Sequence, residues 1–489
     1  MDRTNNKNRI QTAVLRRAAE AYFEGNLEQT ADRIPAELYP KSGEAFRCCV
    51  YKDRAVTKYR LMAHFGFGAE DERDEARPLA SYFAQGLEKG FRRSRLLSVV
   101  DIACSSCPSR KVEVTSSCRG CLARACGTAC PKDAITFKNG RAHIDEEACV
   151  NCGKCVAACP YGAIARHVAP CEEACPVKAI KRNAGEPAVL DPESCLNCGA
   201  CYSACPFGAI VKLSSVFRVL HELSGPRRVA AMIAPSAAGQ FPGTVGQLVS
   251  ALKKLGFDIT AEVAAGAEVT IRKESEELSA RLAENEKAMT SSCCPAFVKF
   301  VQSVAGEKDV SVSTAPSPMA ETAKMVKEID PDALCVFIGP CIAKAAEAEK
   351  TGGADFTITF DELGALFMAA RIRVEEQEDS PAEIQSAAAQ GKGFAAAGGV
   401  SAAIVSACPG AVIERINGLD RKSSFAFKSM LKGVNKPDFI EGMACSGGCI
   451  NGPGTIADLR IGLAQLERYK AQAADSSAES VEIPEGLPA

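Results

Sequence analysis

A block of cysteines constrains the fold of this chain more than any other feature of its sequence. Of the 25 cysteines among 489 residues, 16 lie between Cys104 and Cys205. Two runs, CVNCGKCVAACP from Cys149 and CLNCGACYSACP from Cys195, share the spacing C-x2-C-x2-C-x3-C-P. A third run, CRGCLARACGTACP from Cys118, has the same pattern with two extra residues in its middle. The repeated spacing predicts a region that folds around metal rather than around disulfides.

The spacing of the two matching runs is that of bacterial ferredoxins, which bind 4Fe-4S clusters. The tight loop places three thiolates around one cubane, and the fourth cysteine, before proline, reaches the neighbouring cluster. CSSC from Cys104 and CEEACP from Cys171 look like one further motif split by an inserted pair, which gives 16 thiolates for four clusters. The predicted ligand sets are Cys118, Cys121, Cys126 and Cys159; Cys149, Cys152, Cys155 and Cys130; Cys195, Cys198, Cys201 and Cys175; and Cys104, Cys107, Cys171 and Cys205.

Structural zinc is the alternative for these sets of four cysteines. The C-P endings are followed by KDAI, YGAI, VKAI and FGAI, which repeat the ferredoxin half-fold and favour 4Fe-4S clusters. A block of four such clusters is an electron-transfer module. The centre that it serves is therefore expected further along the chain.

The composition of the chain mainly argues against certain classes of function. The chain is 47% hydrophobic and 24% charged, which suffices for a normal core, and its net charge of -2 offers no basic surface for nucleic acid. The N-terminus lacks the apolar region of a signal peptide, and no stretch reaches the roughly 18 to 20 apolar residues that span a bilayer. We therefore expect a cytoplasmic protein that binds neither nucleic acid nor membrane and keeps its thiols reduced.

The residue patterns along the sequence predict four regions. Residues 1–100 show apolar positions three to four apart and predict a small helical domain. Residues 101–215 hold the ferredoxin-like cluster domains, of α+β type. Residues 216–468 alternate short apolar strands with amphipathic helices, which is typical of an α/β domain. Residues 469–489 are polar and are predicted to be a disordered tail.

Particular elements of the α/β region can be placed. The segment VGQLVSALKKLGF from Val245 puts its apolar residues on one helix face, and Gly256 supplies the stop. Strands are predicted within 227–236, 332–340 and 391–400.

Three segments of the α/β region carry the remaining chemistry: TSSCCPAF, GPCIAKAAE and EGMACSGGCINGPG. They place Cys294, Cys341, Cys445 and Cys449 on three separate loops. In order and spacing these segments resemble the three signature motifs of the iron-only (di-iron, FeFe) hydrogenases, and the resemblance extends from residue 104 to about residue 460. The helical N-terminus and the GPG ending are similar to the divergent group B branch.

The resemblance implies an H-cluster between two α/β lobes. Cys294, Cys341, Cys445 and Cys449 would bind its 4Fe-4S cubane, and Cys449 would bridge to a two-iron subsite that carries carbon monoxide, cyanide and an azadithiolate. Cys293 would be the thiol that exchanges protons with the bridgehead amine. Adjacent side chains diverge on an ordinary backbone, so the pair Cys293-Cys294 can serve two different sites.

The resemblance assigns further roles around this cluster. Lys344 would donate to a cyanide, and Glu274, Ser313 and Glu277 would relay protons. The alternatives are core packing for the apolar wall positions and a solvated helix face for the glutamates. The residues that would form the turn and walls around the two-iron subsite are Ala234, Pro235, Ser236, Phe394 and Met443.

Three positions depart from the better-known branch of the family. Gly339 stands in place of a methionine, Met319 in place of a glutamine, and Pro453 in place of a glycine. These departures bear on rate, catalytic direction and oxygen tolerance. Elsewhere, Cys48 and Cys49 have no spacing partner and are expected to be structural.

The implied activity is reversible exchange of two protons and two electrons with dihydrogen. A ferredoxin is the expected electron partner, because no flavin or nicotinamide fingerprint is present, and separate maturases would supply the two-iron subsite. A hydrogen or redox sensor and an iron–sulfur assembly factor that lacks the two-iron subsite are the alternatives. The four histidines are not at ligand spacing; they are His64, His143, His167 and His221.

Overall fold

The protein consists of a helical region, two small iron–sulfur-type modules, one inserted in the sequence of the other, and two parallel sheets whose strands alternate along the chain. The computed structural model describes residues 5–88, 90–105, 107, 112–183, 185–284, 288–305, 310–386, 388–432 and 436–474.

The N-terminal region consists of α1 Asn6–Phe23, α2 Leu27–Thr30, α3 Ile34–Leu38, α4 Val50–His64 and α5 Leu79–Leu87. Helix α1 begins where the Asn5 side chain accepts a hydrogen bond from Asn8 N at 3.0 Å. Val14, Leu15 and Ala18 are buried, as the apolar spacing predicts. These helices share one hydrophobic core with the first α/β lobe, so they are packed into the body of the protein.

The cysteine-rich region consists of two modules of the same nested design, in which an outer antiparallel pair flanks an inner one. In the outer module, residues 112–166, β2 pairs with β5 and β3 with β4. In the inner module, residues 97–105, 107 and 170–212, β1 pairs with β8 and β6 with β7. The elements are β1 Leu97–Val99, β2 Val112–Val114, α6 Ala125–Thr128, β3 Ile135–Lys138, β4 Arg141–Ile144, α7 Lys154–Ala158, β5 Ile164–Arg166, α8 Pro170–Ala174, β6 Ile180–Lys181, β7 Val189–Leu190, α9 Ala200–Ala204 and β8 Ile210–Lys212.

The cysteine loops lead into short helices through left-handed residues. Gly153 before α7 has φ 77° and Gly199 before α9 has φ 75°, a conformation that glycine adopts without strain. In the longer third run Arg124 takes this place before α6, with φ 45°. At Gly199 an added Cβ would lie 2.7 Å from the ring of Pro453, so glycine also allows the inner module to approach the α/β region closely.

The α/β region contains two sheets of four parallel strands each, in the orders β10-β9-β13-β14 and β12-β11-β16-β15. This architecture agrees with the predicted α/β class. Its elements are α10 Val216–Leu223, β9 Val229–Ile233, α11 Val245–Leu255, β10 Ile259–Glu262, α12 Val263–Glu284, β11 Met289–Thr290, α13 Pro295–Val304, β12 Ser311–Val312, α14 Pro318–Ile329, β13 Leu334–Ile338, α15 Ala343–Thr351, β14 Phe356–Ile358, α16 Phe360–Ala369, α17 Ala389–Gly393, α18 Gly399–Ala407, β15 Ile413–Asn417, α19 Arg421–Lys432, β16 Phe439–Met443 and α20 Leu459–Ala474.

Two of the three strand predictions are confirmed by β9 and β13, and α11 ends at Gly256 as predicted. The strand predicted within 391–400 is wrong, because this segment contains the end of α17 and the start of α18. Its glycines serve close packing of backbones. An added Cβ would lie 2.4 Å from Ala264 O at Gly391, and 2.0 Å from Gly393 O at Gly399.

The predicted region boundaries differ from the structure at two points. Strand β1 lies within residues 1–100 but pairs with β8, so it belongs to the inner module. Helix α20 continues to Ala474 and buries Tyr469, which corrects the predicted start of a disordered tail at residue 469. Residues 475–489 of that tail lie outside the described residues.

Candidate functional site

The four cysteines of the three signature segments converge at the carboxyl ends of parallel strands. Cys294 follows β11, Cys341 follows β13, and Cys445 and Cys449 follow β16. Strand ends of this kind are where α/β folds place their sites. After burial, the charges that raise the pKa of the Cys445 thiol are Cys341, Cys294 and Cys449, so the structure brings all four predicted ligands together.

The four thiols are suited to binding a cationic iron–sulfur core. Burial raises the pKa of Cys449 to about 12 and that of Cys341 to about 11, so the thiols hold their protons at neutral pH without metal. An iron cluster takes the place of those protons, and its binding therefore strengthens as the pH rises.

A pocket opens beside these cysteines, and it is lined by the residues that were predicted to surround a two-iron subsite. Ser236 follows β9, and its buried Oγ has no hydrogen-bond partner in the described part of the structure. A buried hydroxyl without a partner costs free energy, so the pocket suits a polar ligand at this point. The predicted residues that line it are Ala234, Pro235, Ser236, Cys293, Lys344, Phe394 and Met443.

Lys344 brings a charged ammonium to the wall of this pocket. Its Nζ donates to Glu347 Oε2 at 2.7 Å and to Ser317 Oγ at 3.0 Å. Burial disfavours the charge, but Glu347 and the thiols of Cys341 and Cys293 raise the Lys344 pKa above its usual value. The ammonium is therefore present at neutral pH and can meet an anionic ligand.

Cys293 shares its pocket with a buried carboxyl. Burial raises the pKa of the Cys293 thiol, and Glu274 is the largest charge that raises it further. Glu274 Oε1 accepts from Ser292 N at 2.7 Å and from Ser292 Oγ at 2.9 Å. Its Oε2 is buried without a partner in the described part of the structure, and burial raises the Glu274 pKa to about 7. The solvated-face alternative does not describe a fully buried glutamate.

The second glutamate lies one turn further along α12, toward the surface. Glu277 Oε2 accepts from Ser313 Oγ at 3.0 Å and from Thr314 N at 2.8 Å, and Glu277 Oε1 pairs with Arg281 at 3.0 Å. Burial opposes its charge, but these hydrogen bonds lower the Glu277 pKa below its usual value. Ser313 also lowers the pKa of Glu274, so it lies near both carboxyls, and its place in a proton relay stays a prediction.

The thiols of the two modules gather in groups that cross the sequence runs. In each group, burial and then the neighbouring thiols raise the pKa of one central cysteine. The groups are Cys126 with Cys159 and Cys121; Cys155 with Cys149 and Cys130; Cys171 with Cys205, Cys104 and Cys107; and Cys201 with Cys198, Cys195 and Cys175.

Two of these groups contain all four members of a predicted ligand set, and the other two contain three of the four, without Cys118 and without Cys152. Among the described residues, no three cysteine, histidine, aspartate or glutamate side chains are placed to hold a single metal ion.

The inner module approaches the catalytic cysteines directly. Cys294 is among the charges that raise the pKa of Cys198, and Cys198 does the same for Cys445. Lys299, on the helix that starts after Cys294, donates from Nζ to Cys195 O at 2.7 Å. The set containing Cys198 is therefore the one beside the predicted H-cluster.

Sequence reasoning missed one buried carboxylate of the site. Glu441, 1% exposed within β16, accepts from Gly398 N at 2.7 Å and from Ser401 N at 2.8 Å. It fixes the turn that follows Phe394 and adds negative charge near Cys449. The sequence did contain a signal for Glu441, because it is a charged residue inside the apolar run DFIEGMAC.

The structure shows which side chains surround two of the positions that depart from the better-known branch, Gly339 and Met319. An added Cβ at Gly339 would lie 2.6 Å from the ring of Phe337, which itself lines the pocket, so an aromatic ring fills that space. Met319 is fully buried and also lines the pocket. Cys48 is exposed and Cys49 partly buried, with their sulfurs 3.9 Å apart, and their structural role stays a prediction.

Comparisons with known proteins agree with this geometry. The family model for the iron only hydrogenase large subunit, C-terminal domain, matches residues 227–453. Models for a 4Fe-4S dicluster domain and a 4Fe-4S binding domain match residues 117–163 and 188–211.

Two relatives and one solved structure illustrate the similarity. The chain is 31% identical over 432 residues to Iron hydrogenase 1 of Clostridium pasteurianum, covering 74% of each protein. It is 28% identical over 376 residues to the NADP-reducing hydrogenase subunit HndD of Solidesulfovibrio fructosivorans, covering 64% of this chain and 56% of that one. A variant of the FeFe-hydrogenase HydA1 from Chlamydomonas reinhardtii matches with a TM-score of 0.44 and 23% identity, over 52% of this chain and 88% of that chain.

Fold and site together define a redox protein in which ferredoxin-type domains lead to a buried cysteine-rich centre. The chain belongs to the iron-only hydrogenase family, which confirms the resemblance seen in its motifs. Iron–sulfur clusters and an H-cluster are the cofactors that this family uses. The group B assignment stays a prediction. None of the helices among the described residues has the length and apolarity needed to cross a membrane.

Proposed function

We propose that this protein is a hydrogenase that catalyses the reversible reaction 2H⁺ + 2e⁻ = H₂ at an H-cluster. One observation carries the proposal: Cys293, next to a predicted cluster ligand, points its thiol into the pocket that Lys344 and Ser236 also line. A buried carboxyl, Glu274, lies close enough to raise its pKa. A thiol placed this way is built to exchange protons.

The residues fit an H-cluster made of a cubane and a two-iron subsite with carbon monoxide, cyanide and azadithiolate. Cys294, Cys341, Cys445 and Cys449 would hold it, and its irons would supply the electron-pair chemistry of dihydrogen. Lys344 and the free hydroxyl of Ser236 would donate to its anionic ligands. Phe394 and Met443 would keep water from the pocket.

Proton movement follows from the positions of the chain's own groups. Cys293 would give its proton to the pocket and recover one from Glu274, whose pKa of about 7 suits transfer near neutral pH. Ser313 would connect Glu274 with Glu277, and Glu277 would exchange protons with solvent beside Arg281. The route runs along α12 from the buried pocket to the surface.

Electrons would enter through the outer module, pass the inner one and reach the catalytic centre at Cys198. Four 4Fe-4S clusters on the predicted ligand sets would carry them. A ferredoxin would be the exchange partner, and maturases would build the two-iron subsite. We place the protein in the cytoplasm, with an N-terminal helical domain, ferredoxin-like domains and a catalytic domain near the predicted boundaries.

Infrared spectroscopy of protein coexpressed with maturases tests the proposal, together with hydrogen evolution from reduced methyl viologen. We expect bands of iron-bound carbon monoxide and cyanide, and turnover. Protein made without maturases is the control and should show neither. Protein that binds all its cubanes but never gains these bands would be an assembly factor, and bands with feeble turnover would identify a sensor.

A further inference from the structure

A cavity of about 350 Å³ lies where the N-terminal helices meet the inner module and the loop after Cys449. Its walls include Lys7, Arg60 and His64 from the helices and Tyr202 from α9. None of these residues belongs to the cluster sites or to the proton route. A cavity of this size accommodates a small metabolite rather than a single water molecule.

Arg60 is the unusual group of this cavity. Its side chain is 3% exposed, and neither Nε nor Nη1 has a hydrogen-bond partner in the described part of the structure. Its Nη2 lies 3.5 Å from Gly208 O, at the limit of a hydrogen bond. Burial lowers the Arg60 pKa to about 10, so the guanidinium remains charged at neutral pH. A buried charge without partners is costly unless an anion or water meets it.

The carboxylate on the same helix does not meet this need. Asp53 Oδ1 accepts from Arg47 Nη1 at 2.7 Å, and Asp53 Oδ2 accepts from Phe46 N at 2.9 Å. Both oxygens of Asp53 are therefore bonded to other groups, and its charge raises the Arg60 pKa without a hydrogen bond to Nε or Nη1.

Lys212 pairs with the two carboxylates of the cavity wall, and Glu362 Oε1 has no hydrogen-bond partner in the described part of the structure. Lys212 Nζ lies 2.7 Å from Asp361 Oδ1 and 3.5 Å from Glu362 Oε1. Glu362 Oε2 accepts from Thr359 N at 2.8 Å. Lys212 thus serves both acids, and Arg60 is left without a carboxylate of its own.

Two further donors lie beside Arg60. Lys7 Nζ donates to Tyr202 O and Ser203 O, at 3.1 Å each, and lies 5.3 Å from the centre of the Tyr202 ring, while burial lowers the Lys7 pKa. The buried Nδ1 of His64 has no partner in the described part of the structure, and burial lowers the His64 pKa to about 4, which leaves the ring neutral. The cavity therefore offers excess positive charge and free hydrogen-bonding nitrogens.

We propose that this cavity binds a small oxoanion, either a carboxylate or a phosphate group, through the guanidinium of Arg60 with Lys7 and His64 beside it. Charged donors of this kind make short, strong hydrogen bonds to such oxygens. The bound anion would touch α1 through Lys7 and α4 through Arg60 and His64, beside the α9 segment between Cys201 and Cys205 and the loop that contains Pro453. Its binding would therefore stabilise their association.

Thermal unfolding of the cluster-reconstituted full chain tests this site. Inorganic phosphate and acetate are added separately, with chloride at equal ionic strength as reference. We expect at least one oxoanion to raise Tm by about 2 °C or more, in a saturable way. Arg60→Gln should abolish the increase. Arg54→Gln, on the same helix but bonded to Tyr39 O, should keep it.

The pattern of responses identifies the ligand class. A response to phosphate alone indicates a phosphate site, and a response to both indicates a general oxoanion site. No response beyond chloride, or an equal response in Arg60→Gln, would overturn the proposal and indicate a water-filled cavity.

A second measurement keeps the test decisive if Arg60→Gln does not fold. Crystals of the unchanged protein are soaked in selenate, and anomalous scattering locates selenium. A peak within hydrogen-bonding distance of Arg60 Nε or Nη1 supports the site. Its absence at a concentration that labels other surface sites would overturn it.

Discussion

The outer module and the catalytic pocket use the same ligand, cysteine, in opposite surroundings. In the outer module only Cys126 and Cys155 are buried, Cys152 is exposed, and Leu122 beside Cys121 is 99% exposed. Backbone hydrogen bonds from Ala142 and Gly120 lower the pKa of Cys118 there. Cys294, Cys341, Cys445 and Cys449 are partly exposed, yet burial is the largest cause that raises the pKa of all four thiols, as it does only for Cys126 and Cys155 in the outer module.

The different surroundings suit two different tasks, electron exchange in the outer module and proton transfer in the pocket. The outer module has a core of only six buried residues, so its cysteines lie close to the surface. A cluster bound there can exchange electrons with another protein. Under the proposed function, the side chains of Cys293 and Glu274 carry protons between the pocket and the surface, which the buried position of Glu274 suits.

The largest effect is expected at the proton-exchanging thiol of the buried pocket. Cys293→Ala should retain all iron, because Cys294 remains a ligand, yet lose hydrogen evolution by roughly 10²- to 10⁴-fold, the usual cost of removing a positioned acid–base group. Activity and iron content are measured together. Cys335→Ala, which truncates a buried cysteine of β13, is the control and should leave the rate unchanged. Near-normal activity of Cys293→Ala at full iron would show that protons travel elsewhere.

Removing one cluster from each iron–sulfur module tests the direction of electron flow. Cys198→Ala should abolish most activity with both reduced ferredoxin and methyl viologen, because its cluster lies beside the catalytic cysteines. Cys152→Ala, in the exposed module, should lose activity with ferredoxin but keep much of it with the small dye. Equal losses with methyl viologen in the two variants would contradict the proposed order.

A smaller effect is expected at Glu274, where the pocket meets the proton route. Its pKa of about 7 in the folded protein exceeds the ordinary 4.5, so the carboxyl gives up its proton as the pH rises through about 7. Hydrogen evolution should fall over that interval, and Glu274→Gln should lower the rate roughly tenfold or more and remove this step. The pH–rate profile measures both changes.

Stability gives an independent check of the same group. Since the folded pKa is raised, the free energy of unfolding should decrease between about pH 4.5 and pH 7, by roughly 3 kcal/mol. Glu274→Gln should remove this decrease, whereas Glu276→Gln, on the exposed face of the same helix, should keep it. An unchanged pH dependence in Glu274→Gln would refute the raised pKa.

The smallest effect concerns the exposed face of the outer module. Leu122→Ser should raise the KM for ferredoxin by less than about tenfold, because one truncated contact at an interface seldom costs more than roughly 1 kcal/mol. Its rate with methyl viologen should not change. Phe425→Ser removes an exposed ring from α19 and serves as the control, with no expected change in KM. Equal effects of the two substitutions would remove the outer module as the docking face.

Sequence patterns predicted the features that depend on neighbouring residues. The loop spacing from Cys149 and Cys195, the helix that ends at Gly256 and the strands β9 and β13 all follow from local backbone geometry. The strand predicted within 391–400 is wrong because its glycines serve close backbone packing, Gly391 against the distant Ala264 and Gly399 against the nearby Gly393.

What the sequence by itself determined is the family, the cysteine motifs and the α/β class, because short-range spacing encodes them. Only the tertiary structure decided which groups share an environment. Burial gives Glu274 a pKa near neutrality, hides Glu441 within a strand, and leaves Arg60 charged without a carboxylate. Each of these properties depends on residues from distant segments that exclude water together, and no local pattern specifies that packing.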